Sequence, residues 1–178
     1  MVDLAKFNNE QFQRGASAGK ELAWRMIQQG FYNLEWIKAY GLKRRMLVAF
    51  GAELASGVVV KPKVKITFPW KLSVGENSWL GEEVWLLNLD RIEIGSNVCI
   101  SQRAMLCTGS HDWSRESFDL ITKPIVIEDG AWICANVFIG PGVTVGANAV
   151  VTAGSVVTKD LPAGMICSGN PCVPVKKR

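Results

Sequence analysis

Between Ile127 and Thr158 the chain reads IEDGAWICANVFIGPGVTVGANAVVTAGSVVT, and an aliphatic residue returns at every sixth position: Ile127, Ile133, Ile139, Val145, Val151 and Val157. An amphipathic helix needs spacings of three and four, and a half-buried strand needs alternation, so neither element alone has this period. The same step joins Val74, Leu80 and Leu86, and again Ile94, Ile100 and Leu106. The phase slips by two residues around NLDR and by three across CTGSHDWSRESFDLITKP. A repeat that survives such interruptions is one whose units contact mainly their neighbours, as the coils of a solenoid do.

The fourth position of the hexamer supplies the geometry. Counting the aliphatic residue as the first, it holds Asn77, Asn97, Gly130, Asn136, Gly142, Asn148 and Gly154, with Glu83 and Arg103 as exceptions. Asn and Gly tolerate positive φ, which a tight corner demands and a β-branched residue resists. The fifth position is small or modest (Ala131, Val137, Val143, Ala149, Ser155), as a narrow interior requires. Each hexamer is therefore expected to be one short strand and one corner, with three hexamers closing an 18-residue triangular coil. The expected architecture is mainly β: a parallel β-helix over 57–165 with an inserted loop at 107–124, and a short C-terminal tail at 166–178. Residues 1–56 form an N-terminal lead-in and helical cap, in which KELAWRMIQQ and NLEWIKAYGLKRRMLVAF read as helices. Trp24 and Trp36 stand beside Lys and Arg there; capping the core is the favoured role, contact with an interface the other.

Composition narrows the function. Residues 1–63 carry 10 Lys/Arg against 5 Asp/Glu, and the remainder 10 against 11, so the net charge of +4 resides in the N-terminal region. That excess reads as a solvated face, or as peripheral contact with an anionic membrane surface; no nucleic-acid-binding motif accompanies it. Five cysteines without a CxxC pair indicate neither a zinc ribbon nor a disulfide framework. With no apolar run near 18 residues and no leader-like start, a cytoplasmic protein is expected.

The only histidine, His111, lies in the interruption rather than the repeat. Long excursions from a rigid scaffold are where function concentrates. An imidazole, with an ordinary pKa of about 6.5, is suited to taking a proton from an alcohol at physiological pH.

The stretches FGAELASGVVVKPKVKITFPWKLSVGENSWLGEEVWLLNLD, IGSNVCISQRAMLCTGSHDW, KPIVIEDGAWI and GPGVTVGANAVVTAGSVVTKDLPAGMICSGNP cover roughly residues 50–173. Through them the chain resembles the hexapeptide-repeat O-acetyltransferases, most of all the colanic acid biosynthesis branch, with galactoside, maltose and nodulation-factor enzymes nearby. The resemblance implies a left-handed β-helix, a homotrimer, and acetyl-CoA as cosubstrate with no metal required. It implies direct transfer of an acetyl group to a saccharide hydroxyl, in exopolysaccharide or capsule biosynthesis. It makes His111 the general base and the backbone N–H of Ala135 the donor to the tetrahedral oxyanion. Asn88 would position the hydroxyl or the imidazole, with Asp112 beside the acceptor; Trp113 would either stack on the acceptor's sugar ring or pin the loop onto a neighbouring subunit. Ala135, Ala153, Thr158, Lys159 and Lys176 would contact coenzyme A. The chain departs from the usual pattern at Cys134, Thr152 and Thr158, where the second hexamer position is often Gly, and at GNPCVPV, which bears on Lys176.

Three other readings compete. A γ-carbonic-anhydrase-like enzyme needs several histidines converging on zinc, and this chain has one. A covalent acyl carrier would use Cys107 or Cys134 as nucleophile. A non-catalytic assembly protein would need no base at all.

Overall fold

The computed structural model describes residues 1–10, 12–32 and 40–178. Three sheets, parallel throughout except for the last strand of the second, form the sides of a prism. The first sheet holds Glu53–Leu54, Leu72–Val74, Ile92–Ile94, Ile125–Ile127 and Thr144–Val145. The second holds Val59–Val60, Trp79–Leu80, Cys99–Ile100, Trp132–Ile133, Val150–Val151, Met165–Gly169 and Cys172–Lys177. The third holds Lys65–Ile66, Trp85–Leu87, Met105–Cys107, Phe138–Ile139 and Val156–Val157. The chain visits them in rotation, so each residue stacks on its equivalent one coil away: Leu80 on Ile100, Ile100 on Ile133, Ile133 on Val151. This is a left-handed parallel β-helix.

Periodicity becomes packing in the simplest way. All twelve aliphatic residues of the six-residue rule point inward and are at most 3% exposed. Each such side chain is worth roughly 1.5–3 kcal/mol of burial. All nine fourth positions have positive φ: 56–57° for the four Asn, 70–79° for the three Gly, 60° for Glu83 and 59° for Arg103. The two exceptions in sequence are thus not exceptions in conformation. Glu83 and Arg103 pair across adjacent coils at 2.8 Å, and Lys63, also left-handed at φ 59°, lies 3.9 Å from Glu83. The second hexamer position explains itself at Gly75, where a Cβ would fall 2.6 Å from the backbone carbon of Gly95 on the next coil.

Three features go beyond the sequence reading. A complete first coil precedes the recognised repeat: Leu54, Val60 and Ile66 are six apart and buried, and coiling begins at Glu53. An eight-residue step from Ile66 to Val74 hides it from a periodicity search. At the other end Leu161 bridges to Val145 and Cys167 pairs with Val151, so a sixth coil is begun. The chain then turns back, and Cys172–Lys177 runs antiparallel to Met165–Gly169 along the open edge. Arg178, in no motif, donates to the corner carbonyls of Gly130 and Asn148. The expected tail is therefore part of the prism.

The helices α1 (Ala18–Ile27) and α2 (Tyr40–Ala49) cap the first coil. A terminal coil leaves strand carbonyls without partners, and buried ones must be satisfied. Here Trp24 Nε1 and Gln28 Nε2 both donate to the Ile66 carbonyl, and Arg44 donates to that of Leu54. Trp24 is buried in the core cluster together with Leu47. Trp36 and the start of the second expected helix lie outside the described residues. Among the described residues, no helix is long and apolar enough to cross a membrane.

Candidate active site

The interruption at 107–124 is a β-hairpin, not an irregular loop: Gly109–His111 pairs antiparallel with Leu120–Thr122. It leaves the prism after Cys107 on the third sheet and returns at Ile125 on the first, so it projects from the corner between those sheets. A buried polar chain builds its base. Asn88 is fully buried, donating to the Phe68 carbonyl at 2.6 Å and accepting from the Phe68 N–H at 2.9 Å. On the next coil the buried Thr108 hydroxyl donates to Leu87 O and accepts from Asp90 N–H. Asn88 thus joins slips in adjacent coils, and its side chain presents no surface to solvent in the single chain. Any influence on a substrate runs through the backbone it holds.

His111 is half-buried, and its ring is oriented by one polar contact. Nδ1 lies 2.9 Å from the Phe118 carbonyl oxygen. A carbonyl can only accept, so Nδ1 carries the proton and the neutral ring has its lone pair at Nε2. Phe118 lies face to face with the imidazole, centroids 4.4 Å apart and planes 2° apart. Phe7, from the N-terminal segment, approaches at 5.7 Å and 57°. The Phe118 backbone has φ +50°, a left-handed conformation that costs a bulky residue about 1–2 kcal/mol. Neither phenylalanine is flagged by the sequence, because neither belongs to the repeat or stands near His111 in an obvious motif.

The remaining hairpin residues divide. The Asp112 carboxylate accepts from the Ser114 N–H and hydroxyl and sits 3.4 Å from Arg115, closing the hairpin tip. The Ser114 hydroxyl, then the Ser114 N–H, hold its carboxyl below the usual range. Trp113 is 81% exposed at the tip. A polar cleft of about 350 Å³, lined by Asn8, Glu10, Arg115, Asp119, Leu120 and Thr122 among others, opens beside the hairpin. Leu120 is directly opposite His111 in the pairing, so their side chains leave the hairpin on the same side.

Ala135 and Ala153 occupy a different corner, between the second and third sheets, on successive coils joined by Gly154 N–H to Ala135 O at 3.0 Å. Ala135 is half-buried and lines a small cleft with Gln102 and Arg103. Among the described residues its N–H has no acceptor. Thr158 and Lys159 are exposed at the corner that bears the hairpin. Lys176 is exposed on the last strand, paired in register with Ile166. The third sheet thus has the imidazole, Thr158 and Lys159 along one edge, and Ala135 and Ala153 along the other. One chain does not gather them.

The cysteines are free. Burial, and then the neighbouring Cys99, push the Cys134 thiol up, away from the thiolate a nucleophile needs. Cys107 is buried, its thiol donating to Gly109 O. Neither is poised as an acyl carrier.

A family profile described as bacterial transferase hexapeptide (six repeats) matches residues 124–159. Over its whole length, and 98% of the relative's, the chain is 41% identical to WcaF of Escherichia coli K12, described as a colanic acid biosynthesis acetyltransferase. A maltose O-acetyltransferase from Clostridium difficile 630 superposes with a TM-score of 0.81 at 30% identity, covering 89% of this chain and 86% of that one. The hexapeptide-repeat acetyltransferase VCA0836 of Vibrio cholerae, solved with acetyl coenzyme A, gives 0.79 at 28% identity over 99% and 98% of the two chains. A prism of hexapeptide coils with one imidazole on an inserted hairpin, matched over its full length by WcaF, belongs to the hexapeptide-repeat acetyltransferase family.

Proposed function

We propose that this protein transfers the acetyl group of acetyl-CoA to a hydroxyl of a saccharide, in exopolysaccharide or capsule biosynthesis, and does so as a homotrimer in the cytoplasm. The observation that carries the reading is the division of candidate residues between the two edges of the third sheet. Three prisms with that sheet turned inward abut the hairpin corner of each chain against the Ala135 corner of the next, giving three identical seams. The outward residues of that sheet suit an interior: Trp85, Met105, Phe138 and Val156 follow one another over four coils, whereas the first sheet presents Glu53, Ser73 and Glu93.

In each seam Nε2 of His111 takes the proton from the acceptor hydroxyl as its oxygen attacks the thioester carbon. The oxyanion that forms is met by the unengaged N–H of Ala135 from the adjoining chain, a donor already fixed by the coil. Collapse expels the coenzyme A thiolate, which regains a proton from the imidazolium. Transfer is direct, within a ternary complex. Ala153 lies along the pantetheine, while Thr158, Lys159 and Lys176 serve the adenine and phosphate end. Asp112 shapes the hairpin tip, Trp113 offers an open ring to the acceptor, and Asn88 holds the hairpin base as a positioning residue. The VCA0836 complex and the names of the sugar-acetylating relatives support the choice of cosubstrate and acceptor. Free thiols suit a reducing compartment.

Complementation of two inactive variants tests this. His111→Ala removes the base; Ala135→Pro removes only the N–H, and Pro62 and Pro141 already occupy the same hexamer position in other coils. Each variant alone should lose about 10²-fold or more in kcat. Coexpressed one to one, random assembly makes about a quarter of all seams intact, with one chain's His111 facing another's Ala135, and places one such seam in about three quarters of the trimers. Trimers of mixed composition with no recovery refute the shared seam, and full activity of His111→Ala refutes the base.

A further inference from the structure

We propose that Phe7 and Phe118 are positioning residues for the acetyl transfer, an aromatic clamp that holds the His111 ring in one orientation with its lone pair at Nε2. The inference rests on the reading of His111 as the base. The Phe118 ring is parallel to the imidazole at 4.4 Å, and Phe7 meets it at 57° from a segment more than a hundred residues away in sequence. Phe118 holds a left-handed backbone that disfavours a bulky residue, and that conformation accompanies a carbonyl turned onto Nδ1. Strained backbone persists where the surroundings over-determine it, so the same residue fixes both the plane of the ring and its tautomer.

Phe7 is 40% exposed and belongs to no core, yet it is tethered from both sides. Before it, the Asp3 N–H donates to Glu116 O at 2.8 Å, and Lys6 pairs with the Glu116 carboxylate at 2.9 Å. After it, Trp70 Nε1 donates to Arg14 O and Lys71 Nζ to Gln13 O, pinning the segment to the prism. The N-terminal residues thus close on the hairpin tip rather than trail from it. A partial rotation of the imidazole about its Cβ–Cγ bond breaks the stacking and the Nδ1 contact together, and a half-turn, which keeps the ring plane, still loses the Nδ1 contact, so the two constraints complement one another.

The test uses the intact trimer and two readouts. Phe118→Gly keeps the carbonyl, suits the φ, and deletes only the ring; Phe7→Ala removes the other side of the clamp. Both should lower kcat about tenfold while KM for acetyl-CoA stays within about twofold. Because His111 is the only histidine, ¹⁵N-histidine labelling reports one ring. The wild type should show a single Nδ1–H tautomer and the variants a mixture, with Phe7→Tyr restoring both rate and tautomer. Unchanged kcat and unchanged tautomer in folded variants overturn the clamp. A change in KM alone also overturns it, since the rings would then shape acceptor binding. Full activity of His111→Ala would remove the base reading, and the tautomer measurement would still decide whether the rings orient the imidazole.

Discussion

Replacing Asn88 by Ala should destabilise the fold far more than its small volume suggests. The side chain is fully buried and makes two hydrogen bonds, at 2.6 and 2.9 Å, to the carbonyl and N–H of one residue, Phe68. Truncation leaves the Phe68 N–H unpaired beside a side chain that is 2% exposed, while the Phe68 carbonyl keeps the Lys71 N–H at 2.9 Å. The orphaned donor costs about 1–3 kcal/mol and the lost second bond to the carbonyl about 0.5–1.5 kcal/mol, so the sum is about 1.5–4.5 kcal/mol. For a chain of this length that corresponds to a fall in Tm of about 3–18 °C. Thermal unfolding followed by circular dichroism, with both proteins at one concentration to hold any association constant, measures it. Asn88→Asp adds a pH signature. The acceptor bond survives, but a carboxylate would face the Phe68 carbonyl, so burial and that oxygen raise the folded-state pKa above the unfolded value of about 3.9. The variant's donor bond is present below the unfolded pKa and is lost as pH rises through the folded pKa. A loss under about 0.5 kcal/mol for Asn88→Ala, or an Asn88→Asp stability that rises with pH above 4, would refute the account.

Two other expectations follow from the corners. Asn97→Val places a β-branched residue at φ 57° and should cost about 1–2 kcal/mol, whereas Asn97→Gly should stay within about 0.5 kcal/mol; denaturant titration separates them. The Arg103 hydrogen bond, and then its charge, hold the Glu83 carboxyl below its ordinary range. A depressed acid stabilises above its unfolded pKa and stops doing so as pH falls through the folded one, so Glu83→Gln should flatten the stability profile below about pH 4.3. An unchanged acid limb would mean that the pair is solvated away.

Much of this molecule is legible in one dimension because its coils are made of local rules. The aliphatic column, the left-handed corners and the excluded Cβ at Gly75 repeat every six residues, and each acts on its immediate neighbour. Where the step changes, the six-residue register is lost: Leu54 fell in the expected helical cap and Cys167 in the expected tail, and Val60, Ile66 and Leu161 lay within the expected β-helix but off the recognised register. His111 could be singled out as a lone imidazole in a long interruption. Its partners could not, since Phe118 acts through a backbone carbonyl and Phe7 arrives from the far end of the chain.

Sequence alone determined the period, hence the prism, because burial and corner sterics are set by residue type at fixed spacing. Tertiary structure decided which corner each side chain occupies, and so that Asn88 is an internal clip and that His111 and Ala135 stand at opposite edges of one sheet. That placement depends on where slips rotate the chain around the prism, a cumulative property of the whole path that no single hexamer encodes.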